Sequence, residues 1–223
     1  LIKLDGVSAE AGFKETENFG RLEYSFSLLA KECGIEMTDC SLIEENGRAH
    51  FLTKRFDRAN GEKIHMQTLC GMAHYDFRLR RAYSYEQAFN VMRRLRLPYS
   101  QAEEMFLRMV FNVVIRNQDD HTKNISFLMD KTGKWTLSPA YDIGFAYNPK
   151  GSWTDTHQMS INGKFDDITR RDLLVCAAAN NIKNAAEIID KVCETTAKWP
   201  EMAKNCGVPQ EMIDARLPYM LLN

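Results

Sequence analysis

The sequence predicts an α+β chain of two unequal lobes: a small strand, helix and hairpin unit over residues 1–58, and a mainly helical unit over residues 59–223. Three observations predict it. Short strand-like runs flank one helical stretch near the start. Apolar residues then recur at three- and four-residue spacing through most of the remainder. Between the two regimes, Asn60-Gly61 breaks the chain.

The elements follow in order. Leu1-Ile2-Lys3-Leu4 reads as a short strand that ends at the turn Asp5-Gly6. Over Phe19–Cys33, Leu22, Phe26, Leu29 and Ala30 share one helical face, and Gly34 is placed as a C-terminal cap. Strand-like runs at 40–43 and 49–56 are joined by Glu45-Asn46-Gly47, whose Asn-Gly pair favours a tight hairpin. In the second lobe a helix is expected over 84–95. A longer one opens at Ser100, with Ser100 and Glu103 placed as a capping box. That second helix is apolar on nearly every side (Phe106, Met109, Val110 and Val113; Leu107, Phe111 and Ile115), so it is expected to be central and buried. Runs at 125–129 and 134–137, separated by Asp130-Lys131-Thr132-Gly133, make a second hairpin. A loop bearing glycines and aromatics follows Asp142, and two helices close the chain, with Thr169/Asp172 and Asn184/Glu187 as capping pairs.

Composition excludes several classes. The 44% hydrophobic and 26% charged content belongs to a globular chain, not to a disordered one. A formal net charge of −1 gives no electrostatic case for direct nucleic-acid binding. The basic run of Arg78, Arg80, Arg81, Arg93, Arg94 and Arg96 reads as a solvated helix face, with a phosphate- or acidic-partner-binding face as the alternative. The six cysteines form no CxxC pair and sit in apolar stretches, as small hydrophobes in a reducing compartment do. No apolar run reaches membrane-spanning length, and a cytoplasmic chain without membrane contact is expected. The start in mid-strand, without an initiator methionine, reads as that of a fragment or the remnant of a longer chain.

The chemistry concentrates in one loop. Asn117-Gln118-Asp119-Asp120-His121-Thr122-Lys123-Asn124 is dense in polar groups and stands at the end of the buried helix. The hairpin after it folds the chain back, which is expected to bring Asp142 close to Asn124. Asp119 and Asn124 have the five-residue spacing of the catalytic Asp and metal-binding Asn of a protein-kinase loop. In such a loop the Asp accepts a hydroxyl proton, and the Asn holds Mg²⁺ together with a later Asp, the place taken here by Asp142 in Tyr141-Asp142-Ile143-Gly144. Two hard oxygen donors suffice, because Mg²⁺ keeps waters and phosphate oxygens in its shell. Asp120 reads as a supporting or capping group, and Tyr83, Tyr85 and Phe89 as core.

These motifs carry a family resemblance. Asn-x-Asp-Asp-His-x-Lys-Asn, then a hairpin and Pro-x-Tyr-Asp-Ile, resembles the HipA-like Ser/Thr protein kinases, the toxins of HipA/HipB-type toxin–antitoxin modules. Leu28-Leu29-Ala30-Lys31-Glu32, Lys54-Arg55-Phe56-Asp57-Arg58, His65-Met66-Gln67 and Met159-Ser160-Ile161-Asn162-Gly163-Lys164 extend the likeness over nearly the whole chain. The resemblance implies a two-lobed protein-kinase-like fold with ATP and Mg²⁺ between the lobes. It makes Asp119 the catalytic base and gives Mg²⁺ to Asn124 and Asp142. Lys3 matches the strand lysine at the ATP phosphates, with Glu23 as its ion-pair partner. Lys54, Arg55 and Phe56 match the adenine-binding hinge, and His121, Thr122, Lys123 and Tyr141 complete the nucleotide site. Family substrates include aminoacyl-tRNA synthetases, and the usual neutralising partner is a small helix-turn-helix antitoxin. A glycine-rich loop normally precedes the strand lysine, and in some members a serine there is autophosphorylated to switch the enzyme off. This chain begins at the lysine, so the loop is expected to be removed, disordered or supplied by a separate N-terminal lobe subunit. Unaided ATP turnover is therefore left open.

Two other classes compete. Asp119-Asp120-His121 also fits a metal-dependent phosphohydrolase of the HD type, but that needs further histidine ligands on neighbouring helices, where the sequence places none. A catalytically silent, kinase-like module that binds a DNA-binding partner is the other, and the intact set of Asp119, Asn124 and Asp142 argues against it.

Overall fold

The computed structural model describes residues 1–6 and 18–220. Strand β1 (Ile2–Lys3) is followed by helix α1 (Phe19–Cys33) and by strands β2 (Cys40–Glu45) and β3 (Arg48–Thr53). The three strands form one antiparallel sheet in the order β1-β3-β2, with Lys3 opposite Phe51. Asn46 and Gly47 both adopt positive φ, 51° and 78°, the geometry a two-residue hairpin turn requires.

Beyond the sheet come the short hairpin β4 (Arg58–Ala59) and β5 (Glu62–Lys63), strand β6 (His65–Thr68), helix α2 (Leu69–Ala73), strand β7 (Tyr83–Ser84) and helices α3 (Tyr85–Arg94) and α4 (Tyr99–Val114). Strands β8 (Ser126–Met129) and β9 (Trp135–Leu137) then pair with β6 in the order β6-β8-β9. Strand β10 (Met159–Ser160) runs parallel to β7. Helices α5 (Arg170–Ala179), α6 (Ala185–Thr196), α7 (Trp199–Asn205) and α8 (Gln210–Asp214) and a 3₁₀ turn at Leu217–Tyr219 complete the described chain.

Helix α1 organises the packing. Its buried face of Leu22, Phe26, Leu29, Ala30 and Cys33 follows the helical repeat, and Gly34 (φ 99°) ends it in the left-handed conformation. At its first turn Gly20 lies directly against β3: a Cβ there would sit 1.9 Å from the Ala49 carbonyl oxygen. On the other side Phe26 stacks on Trp199 of α7 (4.7 Å between ring centroids, 16° between planes). The Trp199 indole N–H also donates to Ser25 Oγ at 3.1 Å, so this buried ring leaves no unpaired donor. The apolar core is therefore continuous from α1 into α4, α6 and α7, across the lobe boundary expected at residue 58.

Local expectations meet mixed outcomes. The capping pair expected at Thr169/Asp172 of α5 is formed, and α3 carries a further box, Ser84/Gln87, that the sequence reading did not single out. The box placed at Ser100/Glu103 is not formed. Pro98 presets its own backbone (φ −68°) as N-cap, α4 starts at Tyr99, and Glu103 instead receives the Tyr99 hydroxyl at 3.3 Å. Asn184 stands at the N-cap of α6 without a side-chain bond to the helix. Four helices, not two, fill the C-terminal region, because breaks at Ala197-Lys198 and at Gly207 (φ 75°) divide what reads as a long helical stretch.

Ion pairs tie down much of the basic run: Arg78 to Asp76, and both Arg80 and Arg81 to Asp155. The cysteines are free thiols, and burial pushes those of Cys33 and Cys176 up to about 12, leaving them protonated and inert. No helix among the described residues is long and apolar enough to cross a membrane.

Gly20→Ala is expected to cost about 1–3 kcal/mol, as overpacking does, because the obstacle is backbone and cannot rotate away. Urea denaturation measures it; unchanged stability would show that α1 rides freely on β3.

Candidate active site

Helix α4 carries buried Met105, Phe106, Met109, Val110, Phe111, Val113 and Val114, so its C-terminal end is fixed by the core. Arg116 (φ 56°) turns the chain out of it. The loop that follows is anchored at its root, where Asn117 donates through its backbone N–H to the Asn112 carbonyl (2.8 Å) and through Nδ2 to Asn112 Oδ1 (3.0 Å). Asn124 Nδ2 donates to the Asp119 carbonyl at 2.9 Å, which closes the loop and leaves Asn124 Oδ1 without a donor among the described residues. Asp119 keeps a half-exposed side chain.

The β8–β9 hairpin returns the chain to this loop. Ala140 N–H donates to the Glu36 carbonyl (2.7 Å), and the Tyr141 hydroxyl donates to the Lys123 carbonyl (2.6 Å). Asp142 takes a left-handed backbone (φ 54°), which Asp tolerates better than most residues. Its Oδ1 receives Lys3 Nζ at 2.6 Å, and the same ammonium donates to Glu23 Oε1 at 2.7 Å. Lys3 thus joins the first strand, the α1 helix and the segment after the hairpin at one point.

A cleft of about 160 Å³ opens there, lined by Phe19, Glu23, Phe26, Asn117, Asp119 and Asp142 among others. Its charge is lopsided, with three carboxylates (Glu23, Asp119 and Asp142) against the Lys3 ammonium. Burial raises the Asp119 carboxyl above its ordinary value, and the carboxylates of Asp142 and Asp120 add to that, while His121 and Lys123 oppose it. Burial alone would lower the Lys3 ammonium, but the Asp142 and Glu23 carboxylates outweigh it and raise it. Burial likewise raises Glu23, against the pull of Lys3. An exposed ion pair of this kind adds little stability, on the order of 0–1 kcal/mol. What it does is fix the position of a cation donor and of two carboxylates. Asn124 does not line this cleft but shares with Asp142 an adjoining pocket of about 20 Å³, where Asn124 Oδ1 and the second Asp142 oxygen are hard donors of the kind Mg²⁺ takes.

The remaining predicted residues divide. Phe56 reaches the site through its ring, 5.5 Å from that of Tyr141. Lys54 and Arg55 do not line the cleft: the Lys54 backbone N–H bonds to Asp39 O, and Arg55 forks onto Asp57 at 2.8 and 2.6 Å. Thr122 is buried and donates its hydroxyl to the Tyr75 carbonyl at 2.9 Å. Lys123 Nζ stands 3.9 Å over the Phe77 ring, and His121 meets that ring edge-on, its Nδ1 buried without a partner among the described residues. Sequence reasoning missed the buried polar web behind the loop, in which Asp120 accepts from Tyr85 OH (2.9 Å) and Tyr85 OH accepts from Asn112 Nδ2 (3.0 Å). Asn112, polar amid the apolar residues of α4, was the available signal.

With Lys3→Met, two carboxylates lose the cation between them. The Glu23 carboxyl, already above its ordinary value, is expected to titrate higher still, as followed by carboxyl NMR; an unaltered titration would show that Lys3 does not hold it down.

The chain has relatives among known proteins. Two curated relatives carry the name "Putative kinase": Y4mE of Sinorhizobium fredii, 27% identical over 125 residues, and a Haemophilus influenzae protein, 27% identical over 139 residues. The matches cover 52% and 54% of this chain but only 30% and 39% of those proteins. Among solved structures, HipA of Shewanella oneidensis, determined with HipB and operator DNA, superposes with a TM-score of 0.69 at 18% identity, over 90% of this chain and 53% of that one. The Helicobacter pylori proinflammatory kinase CtkA superposes at 0.55 and 14% identity, over 99% and 86%. The fold is thus the α+β, kinase-like one of these proteins. Residues 1–200 match the HipA-like C-terminal domain family, and the chain belongs to it.

Proposed function

We propose that the cleft binds ATP with Mg²⁺ and transfers the γ-phosphoryl group to a Ser or Thr hydroxyl of a protein. The observation that carries this reading is the junction at Lys3, whose ammonium bridges Glu23 (2.7 Å) and Asp142 (2.6 Å) beside Asp119. Lys3, kept in place by Glu23, meets phosphate oxygens. Asn124 Oδ1 and Asp142 hold Mg²⁺, which supplies charge neutralisation on the transferring phosphoryl when bound. Asp119, half-exposed and raised by burial, takes the proton of the acceptor hydroxyl. His121 and Lys123 stand beside Asp119 as further nucleotide contacts, and the Phe56–Tyr141 pair supports adenine near the 54–56 segment. Thr122 contributes by fixing the loop backbone. The HD-type phosphohydrolase reading loses its key residue, since Asp120 is buried and occupied by Tyr85, His157 and the Gln158 backbone. By analogy with the HipA neighbour, solved with HipB and DNA, a small DNA-binding antitoxin is the proposed partner.

Isothermal titration of the chain with ATP and Mg²⁺ is expected to give binding heat that Asp142→Asn abolishes. Absence of heat from the wild-type chain would remove the reading. Asp119→Ala is expected to retain binding and lose about 10²–10⁴-fold in transfer of radiolabelled phosphate. Because Asp119 must be ionised to act and its carboxyl is raised, activity should fall on acidification at a pH above the ordinary carboxylate range. An acid limb at the ordinary carboxylate value would count against Asp119 as base.

A further inference from the structure

Helix α4 is apolar over most of its surface, yet Gln101, Glu104, Arg108 and Asn112 interrupt it at spacings of three, four and four, which places them on one stripe of the helix. Asn112 holds the root of the 117–124 loop. Arg108 is the hardest of the four to bury: it is 7% exposed, and a guanidinium so placed is tolerated only when its charge is paired and its donors are met. Nε donates to Glu104 Oε1 at 2.7 Å, one turn back on the same helix, and Nη1 donates to the Ser138 carbonyl at 2.9 Å. Nη2 is buried with no partner among the described residues, and Arg108 borders the pocket that Asn124 and Asp142 share.

The stripe grips the chain just ahead of Asp142. Gln101 Oε1 accepts the Leu137 N–H at 2.9 Å, and Arg108 takes the carbonyl of the next residue, Ser138. Glu104 reaches the same run through one intermediate. Its Oε1 also accepts the Glu36 N–H at 3.1 Å, and the Glu36 carbonyl is the acceptor of the Ala140 N–H. Met37 and Ala140 form a parallel bridge beside that bond. Residues 137, 138 and 140 are thus bonded, directly or through Glu36, to a helix that the core immobilises, and Asp142 follows two residues later. Stability alone does not account for an arginine here, since well-packed apolar side chains in place of a buried ion pair are often neutral or better.

We propose that Arg108, paired with Glu104, is a positioning residue that sets Asp142 against Asn124 and so tunes affinity for the divalent cation, not for the nucleoside. The metal role rests on the kinase reading; the frame rests on geometry alone. Arg108 acts through Ser138 and through the relay from Glu104 to Glu36 to Ala140, and it touches neither nucleotide nor acceptor hydroxyl. Glu104 neutralises the guanidinium, so the pocket gains a fixed wall without a full positive charge facing the cation. Mg²⁺ demands near-octahedral geometry and tolerates little displacement of a donor, so a run held at 137, 138 and 140 holds the metal affinity with it.

The test uses the full chain with Arg108→Met and Glu104→Gln combined, which leaves no charge buried alone and keeps an oxygen for the Glu36 N–H. Arg108→Lys is the second variant, in case the first fails to fold; it keeps the charge beside Glu104 and gives up the fork. Amide hydrogen exchange at Ala140 is expected to quicken about tenfold or more in both, while that of Leu29, buried in α1, stays within about twofold. In isothermal titration the Kd for MgATP should rise about tenfold, the usual effect of losing a group that orients a metal ligand. Adenosine, which has no phosphate to meet the metal, should keep its Kd within about twofold, a split that general loss of structure would not produce. Unchanged exchange at Ala140, or equal quickening at Leu29, overturns the frame. A variant that keeps wild-type affinity for MgATP, or loses affinity equally for MgATP and adenosine, overturns the metal role. A wild-type chain that binds neither ligand sinks the kinase reading and the metal role with it, and exchange at Ala140 still decides the frame.

Discussion

The close approach of α1 to β3, permitted by Gly20, is the constraint from which the rest of the site follows. Because no side chain separates the helix from the Ala49 carbonyl, α1 lies flat on the sheet and its next turn brings Glu23 to Lys3. Phe26 and Ser25 grip Trp199 from the opposite side, so the helix is held between a sheet and a helical bundle. Dispersion and apolar burial set its place. The electrostatic junction at Lys3 takes its geometry from that packing and adds little energy of its own.

Charge and burial divide the labour among the aspartates. Asp119 and Asp142 stay reachable in a cleft whose negative excess suits a divalent cation, whereas Asp120 is withdrawn among donors that satisfy both its oxygens. Neighbours in sequence, Asp119 and Asp120 are set in opposite environments by a tight loop that turns one outward and the other inward. A charge that would be costly to bury alone becomes the fastening point for a distant segment.

Much of this was legible in the sequence because it depends on local rules. The apolar girth of α4, the polar density of 117–124 and the Asp-Lys-Thr-Gly turn of the second hairpin each follow from neighbours in the chain. Together they foresee that Asp142 comes back toward Asn124. The Asn46-Gly47 turn and the Gly34 cap were readable for the same reason. What stayed hidden depends on partners far apart in sequence: His157 against Asp120, Trp199 against Phe26, Gly20 against Ala49. The Ser100/Glu103 cap failed for a local reason, since Pro98 competes for the same end of the helix with its backbone already set.

The unequal anchoring of the two halves of the Lys3–Glu23 pair has a kinetic consequence. Glu23 sits on a helix gripped from two sides, and freeing it means breaking core packing. Lys3 sits on a two-residue strand that, among the described residues, pairs with β3 alone. Among the described residues, releasing Lys3 from the junction breaks fewer packing contacts than releasing Glu23. The carboxylate is a fixed post and the ammonium a hinged latch, so any control over the pair acts most economically on the strand.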